Sequence, residues 1–272
     1  MQTHWTEGEV TVDGIRIHYT RSGDGSQPAL VLAHGFSDSG KCWLPFAQVM
    51  AADYDVILPD ARGHGLSARV QPGENVDAAA DLAGLIRELK LKKPFVGGHS
   101  MGASVSSAMQ ARYPGTARAL VLEDPAWFLP QEPKEGEPQP PPRRGPADWL
   151  LELKGKSLEE LMALCHTNNP TWQESELRPW AESKQQFDFN FLQAANMPRG
   201  DWRETAKTLD CPTLLVTASP RKGSIVAPQA AALAKSLNSR IQVVRIPHAG
   251  HNIRRENFDA YVKAVKNFLK KH

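Results

Sequence analysis

Gly98, Ser100 and Gly102 carry the sharpest chemical signal in the chain. They lie in Gly97-Gly98-His99-Ser100-Met101-Gly102, after an apolar run ending near Val96 and before the helical pattern Ala103–Tyr113. A sharp strand-to-helix turn holds a serine in a strained backbone geometry, and side chains at the flanking glycine positions would clash with the adjoining strand and helix. The hydroxyl is then exposed at a helix N-terminus, whose partial positive charge favours a developing oxyanion. A serine hydroxyl is a weak nucleophile at neutral pH and needs a base within hydrogen-bond reach. Nine histidines are available. His4 and His272 lie at the ends, His166 falls in a long interval without strands, and His34, His64 and His99 sit inside glycine turns. His251 follows the last apolar run and precedes the last helical pattern, which places it at the same sheet edge as Ser100. His248, three residues earlier, is the runner-up.

The elements that must position these groups follow from hydrophobic patterning. Val10–Val12 and Ile15–Tyr19 flank Asp13-Gly14, a strong hairpin signal. Ala29–Ala33, Asp55–Pro59, Phe95–Gly98, Ala119–Glu123, Thr213–Thr217 and Gln242–Ile246 read as strands, and the later ones are continuous enough in apolar residues to be buried and parallel. Helical stretches are expected over Trp43–Ala52, Val76–Leu89, Met101–Tyr113, Pro228–Leu237 and Glu256–Leu269. Hairpin first and strand–helix alternation afterwards predict a mostly parallel sheet with helices on both faces.

One interval breaks the rhythm. From Trp127 to Leu209 there is no convincing strand, and its opening, Pro130 to Pro146, is dense in proline and charge. Trp149–Leu153, Leu158–Cys165 and Phe187–Ala195 have helical character. The expected organisation is a core built from residues 1–126 and 210–272, with residues 127–209 as a helical cap entered through a stiff extended loop after the sixth strand. Trp149, Trp172, Trp180 and Trp202 argue against a mobile linker, because they need something to pack on.

Bulk properties exclude several function classes. A formal charge of +2 over 272 residues gives no field for nucleic acid, and Lys263, Lys266, Lys270 and Lys271 have the spacing of a solvated helix face. There is no apolar run of membrane-spanning length and no secretion signal, so a cytoplasmic location is expected. Cys42, Cys165 and Cys211 are too few and too separated for a disulfide framework, and no spacing suggests a metal site.

These motifs together resemble the α/β-hydrolase superfamily. His34-Gly35-Phe36 after a strand is similar to the family's HG motif, and Asp60-x-Arg62-Gly63-His64-Gly65-x-Ser67 to the loop after the next strand. Gly98-His99-Ser100-Met101-Gly102 resembles the nucleophile elbow, and His248-Ala249-Gly250-His251 the C-terminal histidine loop. The resemblance implies an α/β-hydrolase fold, Ser100 as nucleophile and, from the family order of nucleophile first and histidine last, His251 as base. It also implies an oxyanion hole made by the backbone N–H groups of Phe36 and Met101.

The acid departs from the family pattern. Most members place an Asp after the strand corresponding to Thr213–Thr217, but Ala218-Ser219-Pro220-Arg221-Lys222-Gly223-Ser224 contains no carboxylate. Some lipases of the superfamily carry the acid on the preceding strand, and Glu123-Asp124-Pro125-Ala126 is similar to that arrangement. Neighbouring strand residues point to opposite faces, so only one of Glu123 and Asp124 can reach His251. Asp124 is the candidate because it lies past the strand end and is shorter, with Glu123 the alternative and loop capping beside Pro125 the competing role for Asp124.

A serine nucleophile separates the chain from the dehalogenases and epoxide hydrolases of this fold, which attack with Asp. The expectation is a serine carboxylic-ester hydrolase that works through an acyl-enzyme on small to medium acyl esters. The whole-chain resemblance to small metagenomic esterases extends this to lactones such as N-acyl homoserine lactones, hence quorum quenching, with no metal or other cofactor. Trp127, Phe128, Trp149, Trp172, Trp180 and Phe187 are the candidate substrate-binding rings. Alternatives are a C–C bond hydrolase or perhydrolase of the same fold, or a non-catalytic ligand-binding receptor.

Overall fold

The computed structural model describes residues 4–129, 146–193 and 200–272. Most of the proline-rich entrance to the expected cap, residues 130–145, lies outside the described residues. Strands β1 (Thr6–Val12) and β2 (Ile15–Arg21) form the expected hairpin, with Asp13 and Gly14 both at positive φ in its turn. The remaining strands are β3 (Ala29–Ala33), β4 (Asp55–Pro59), β5 (Phe95–His99), β6 (Ala119–Glu123), β7 (Thr213–Thr217) and β8 (Ile241–Arg245). They complete one eight-stranded sheet of order β1-β2-β4-β3-β5-β6-β7-β8. Only the β1–β2 and β2–β4 pairings are antiparallel.

Strand periodicity divides the core in two. Leu30, Leu32, Val56, Leu58, Val121, Leu214 and Val216 point to one face, against α1 (Leu44–Met50) and α10 (Phe258–Leu269). Val31, Ile57, Val96, Leu120, Leu122 and Leu215 alternate with them and meet α2 (Ala78–Glu88), α3 (Met101–Arg112) and α8 (Pro228–Leu237) on the other. Each fully buried Leu or Ile contributes about 2 kcal/mol, so slipping any of these strands by one residue would forfeit much of a layer.

The chain between β6 and β7 forms helices, as the absence of a strand pattern predicts. They are α4 (Pro146–Leu153), α5 (Leu158–Asn168), α6 (Glu174–Gln186) and α7 (Trp202–Thr208), with a short 3₁₀ turn at Phe189–Gln193. Ser157 and Glu160 close a reciprocal capping box at the start of α5. Helices α5 and α6 pack on each other, whereas α7 packs on α3 and α8, in the layer that covers the sheet. Two of these helices are invisible to periodicity: α6 contains Pro179, and α7 is only seven residues long. Among the described residues no helix is long and apolar enough to cross a membrane. The three cysteines are buried free thiols.

The topology fixes where chemistry can occur. The chain leaves β3 towards β4 on one side and returns with β5 on the other, so the carboxyl ends of β3 and β5 border a crevice. The loop Phe36–Ser39 follows β3 and Ser100 follows β5. The short helix α9 (Ile253–Glu256) comes after β8, and His251 lies in the loop before it.

Candidate active site

Ser100 has φ 53° and ψ −114°, a left-handed backbone that a side-chain-bearing residue adopts only under constraint. The constraint is visible on both sides. A Cβ on Gly98 would lie 2.4 Å from the Gly102 carbonyl carbon, and one on Gly102 would lie 2.3 Å from the Ala33 carbonyl oxygen. The Ser100 N–H donates to the Glu123 carbonyl at 2.9 Å, continuing the β5–β6 ladder into the turn. Ser100 therefore stands at the N-terminus of α3, only partly exposed, with its backbone tied to the strand that carries the two candidate acids.

His251 and Asp124 meet directly. Asp124 Oδ2 is 2.7 Å from His251 Nδ1, with the carboxylate fully buried and the imidazole 29% exposed. Since the carboxylate only accepts, Nδ1 carries the hydrogen and Nε2 is left as the basic nitrogen. Asp124 has φ 44°, which turns it out of the strand. Its other contacts come from the loop after β7: Ser224 Oγ to Oδ1 at 2.8 Å, Ile225 N to Oδ2 at 2.8 Å and Val226 N to Oδ1 at 2.9 Å. The capping role and the imidazole contact thus coexist. Glu123 points to the opposite face, where it accepts from the Arg254 N–H at 2.9 Å and faces Arg254 Nη1 at 3.3 Å.

Ser100 Oγ forms no hydrogen bond to the His251 ring among the described residues; His99 brings the two to one edge. His99 Nε2 donates to the His251 carbonyl at 3.0 Å, and the two rings lie 4.7 Å apart. Hydrogen bonds between nucleophile and base are commonly loose without substrate and tighten when it binds. His248, the runner-up base, sits in a turn at φ 63°, and its carbonyl accepts from Lys222 Nζ.

The N–H groups of Phe36 and Met101 have no acceptor among the described residues, so both are free to meet an oxyanion. The loop that carries Phe36 is held by buried side chains. His34 donates from Nδ1 to the Gly35 carbonyl and accepts the Ala61 N–H at Nε2, joining the loops after β3 and β4. Asp60 accepts from Gly40 N, Leu66 N and His18 Nδ1. Burial holds the imidazoles of His34 and His99 below their ordinary pKa and pushes that of His64 down to about 3.

The candidate substrate-binding rings separate into three groups. Phe187 packs edge-on against Phe36, ring centres 5.5 Å apart, and within 5.1 Å of His64, with Phe191 completing the cluster. Phe128 and Trp149 are exposed. The others pack elsewhere: Trp127 stacks on Trp202 of α7 at 5.1 Å, Trp172 lies beneath the Arg255 guanidinium and Trp180 beneath the Lys184 ammonium.

The largest surprise is a buried set of charges between α6 and the core. Lys184 donates to the Ser37 carbonyl at 2.8 Å and to Asp38 Oδ1 at 3.1 Å, while Arg255 pairs with Glu176 at 2.9 Å and lies 3.2 Å from Asp38. Burial, the largest single influence, would raise the Asp38 pKa, but Arg255, Lys184 and Arg254 together hold it well below the usual carboxylate range. This network fastens α6 to the loop just past Phe36. Among the described residues no group of three His, Cys, Asp or Glu side chains is placed to hold a metal ion.

A serine in a strained turn, an imidazole bonded to a buried carboxylate and two amides without acceptors thus belong to loops at one sheet edge. The chain belongs to the Alpha/beta hydrolase family, whose pattern it matches over residues 30–264. It is 28% identical over 279 residues to 2-(acetamidomethylene)succinate hydrolase from Mesorhizobium japonicum, covering 98% of this chain and 96% of the relative. It is 30% identical over 285 residues to N-formylmaleamate deformylase from Pseudomonas putida, covering 99% and 98%. Among solved structures it is similar to that of E-2-(acetamidomethylene)succinate hydrolase, with a TM-score of 0.78, 25% identity, and coverage of 98% of this chain and 100% of that one.

Proposed function

We propose that the chain is a serine hydrolase that cleaves small to medium carboxylic esters, including lactones, through an acyl-enzyme. The observation that carries this reading is the 2.7 Å contact of Asp124 with His251 at the sheet edge where Ser100 adopts its strained turn. In this reading His251 Nε2 takes the Ser100 Oγ proton as the oxygen attacks the substrate carbonyl, and Asp124 stabilises the resulting imidazolium. The N–H groups of Phe36 and Met101 receive the carbonyl oxygen as it becomes negative. His251 then returns the proton to the departing alcohol, and a water deprotonated by the same nitrogen releases the acid. With a lactone the departing alcohol stays attached to the acyl group, so a single product leaves, as ring opening of an N-acyl homoserine lactone requires.

Helices α5 and α6 supply the cover of the site in this reading, with Phe187 and Phe36 forming the apolar wall beside the acyl group.

Amide cleavage is the second reading, favoured by the two relatives named as a hydrolase of 2-(acetamidomethylene)succinate and a deformylase of N-formylmaleamate, each matched over nearly its whole length. The same residues serve both reactions, because only the departing group differs. Wild-type protein and Ser100→Ala are to be assayed on p-nitrophenyl butyrate, N-acyl homoserine lactones of graded length and an N-formyl or N-acetyl enamide. Turnover abolished by Ser100→Ala supports the acyl-enzyme, and the preferred compound separates ester from amide. Turnover that survives Ser100→Ala, or binding with no turnover of any compound, defeats it.

A further inference from the structure

We infer that Glu256 is a positioning residue that locks the backbone on both sides of His251. The inference rests on the reading of His251 as the base. Glu256 Oε2 accepts the Gly250 N–H at 2.8 Å and Oε1 accepts the Asn252 N–H at 3.1 Å, so one carboxylate straddles the histidine. The return contact is the Glu256 N–H to the Asn252 carbonyl at 2.9 Å, which closes α9 around the loop.

The clamp acts on a segment with little other freedom. The His251 carbonyl is held by His99 Nε2 and its Nδ1 by Asp124. Gly250 is pressed so close to the next loop that a Cβ there would lie 2.0 Å from the Lys222 carbonyl oxygen. Glu256 adds a hold on the Ala249–Gly250 peptide before the histidine and on the His251–Asn252 peptide after it, gripping by its N–H the plane that His99 grips by its carbonyl. Both of its oxygens must accept, because both partners are N–H donors. A carboxylate does this and a carboxamide does not, since its NH₂ end would face an N–H. Without the clamp, the direction in which Nε2 faces Ser100 would rest on the His99 and Asp124 contacts alone.

Asn257 provides the control. Its Nδ2 donates to the Pro247 carbonyl at 2.8 Å, bracing the same loop at its start without touching the residues beside His251. Glu256→Gln, Glu256→Asp and Asn257→Ala are to be compared with wild type by steady-state kinetics, thermal unfolding and proton NMR of the low-field imidazole N–H shared with Asp124. Asp124→Asn identifies that resonance by removing it. Both Glu256 variants are expected to lose about tenfold to a hundredfold in kcat with KM nearly unchanged, as small misplacements of reacting groups do. They should also broaden the resonance, while Asn257→Ala lowers the unfolding temperature alone. Wild-type kcat with a sharp resonance in either folded Glu256 variant overturns the inference, as does an equal kcat loss in Asn257→Ala. Should the wild type turn over no ester or amide, the resonance decides the clamp independently of that failure.

Discussion

Ser224 Oγ donates to Asp124 Oδ1 at 2.8 Å, so the loop after β7, where the family usually keeps its acid, here supplies donors to a carboxylate just past the end of β6. The amides of Ile225 and Val226 add to it. Three donors and the imidazole N–H converge on two fully buried oxygens, which fixes the orientation of the carboxylate.

Asp124→Asn should therefore do more than remove a charge. Its NH₂ must face either the His251 Nδ1–H or one of the loop donors, and the imidazole is then free to take the wrong tautomer. The expected loss in kcat is about 10⁴-fold. Ser224→Ala removes one of the three loop hydrogen bonds to the carboxylate, about 2 kcal/mol, and should be mild beside it. Steady-state kinetics on whichever compound the wild type turns over measures both, and near-normal kcat in Asp124→Asn would place the acid elsewhere.

Glu123→Gln looks nearly silent when the sequence alone is considered, since the opposite face of the strand cannot reach His251. The structure changes the expectation for stability. Glu123 and Arg254 are both fully buried, and Arg254 also covers the Trp43 ring at 4.0 Å. Removing one partner of such a pair costs about 3 kcal/mol or more, because the other charge stays buried. Urea unfolding should register that loss, with the folded variant still active. A variant as stable as wild type would show that Arg254 is compensated by Asp38, whose Oδ2 lies 3.9 Å from its Nη2.

The contrast between these residues explains what the sequence makes legible. The elbow, the HG loop and the histidine loop are contiguous strings in which neighbouring glycines are required locally, so spacing reveals them. That only one of Glu123 and Asp124 meets His251 was also readable, because strand alternation sends neighbouring side chains to opposite faces. The charges around Asp38 were not. Lys184 lies 146 residues from Asp38, and Glu176 lies 79 from Arg255. No periodicity encodes which distant ions will share a buried space. Helix α6 was hidden for a related reason: Pro179 reads as a breaker, yet packing against α5 and the ion pairs carry the helix through it.

Stability should fall as the solution is acidified below about pH 6.5. His34, His64 and His99 are buried and held below the ordinary value of 6.5, His64 at about 3. In the interval between folded and unfolded values the unfolded chain binds protons that the folded one refuses. Their contribution is thus complete above the unfolded pKa and is lost as the pH falls, by up to about 1.4 kcal/mol per pH unit for each proton. Glu123 and Asp81, pushed up by burial, act with the opposite sign just above the ordinary carboxylate range. The difference between wild type and His64→Asn is therefore the diagnostic quantity. Urea unfolding at pH 7, 6 and 5 should give a shallower slope for the variant, and equal slopes would assign the acid response to other groups.

Phe187 tests whether the aromatic cluster beside Phe36 reads the acyl chain. Its ring packs edge-on against that of Phe36, whose N–H is a donor in the proposed reading, so an acyl group seated beside Phe36 would pass this ring. Phe187→Leu keeps an apolar contact while removing the ring edge, and is expected to cost less stability than the 3–5 kcal/mol typical of Phe→Ala. The space it opens can hold extra methylenes, each worth about 0.8 kcal/mol when buried. The ratio of kcat/KM for octanoyl over butyryl esters should then rise several-fold, with kcat on the short ester little changed. A ratio identical to wild type would mean that the acyl group leaves the site by another route and that Phe187 serves only to seat the cover on the loop after β3.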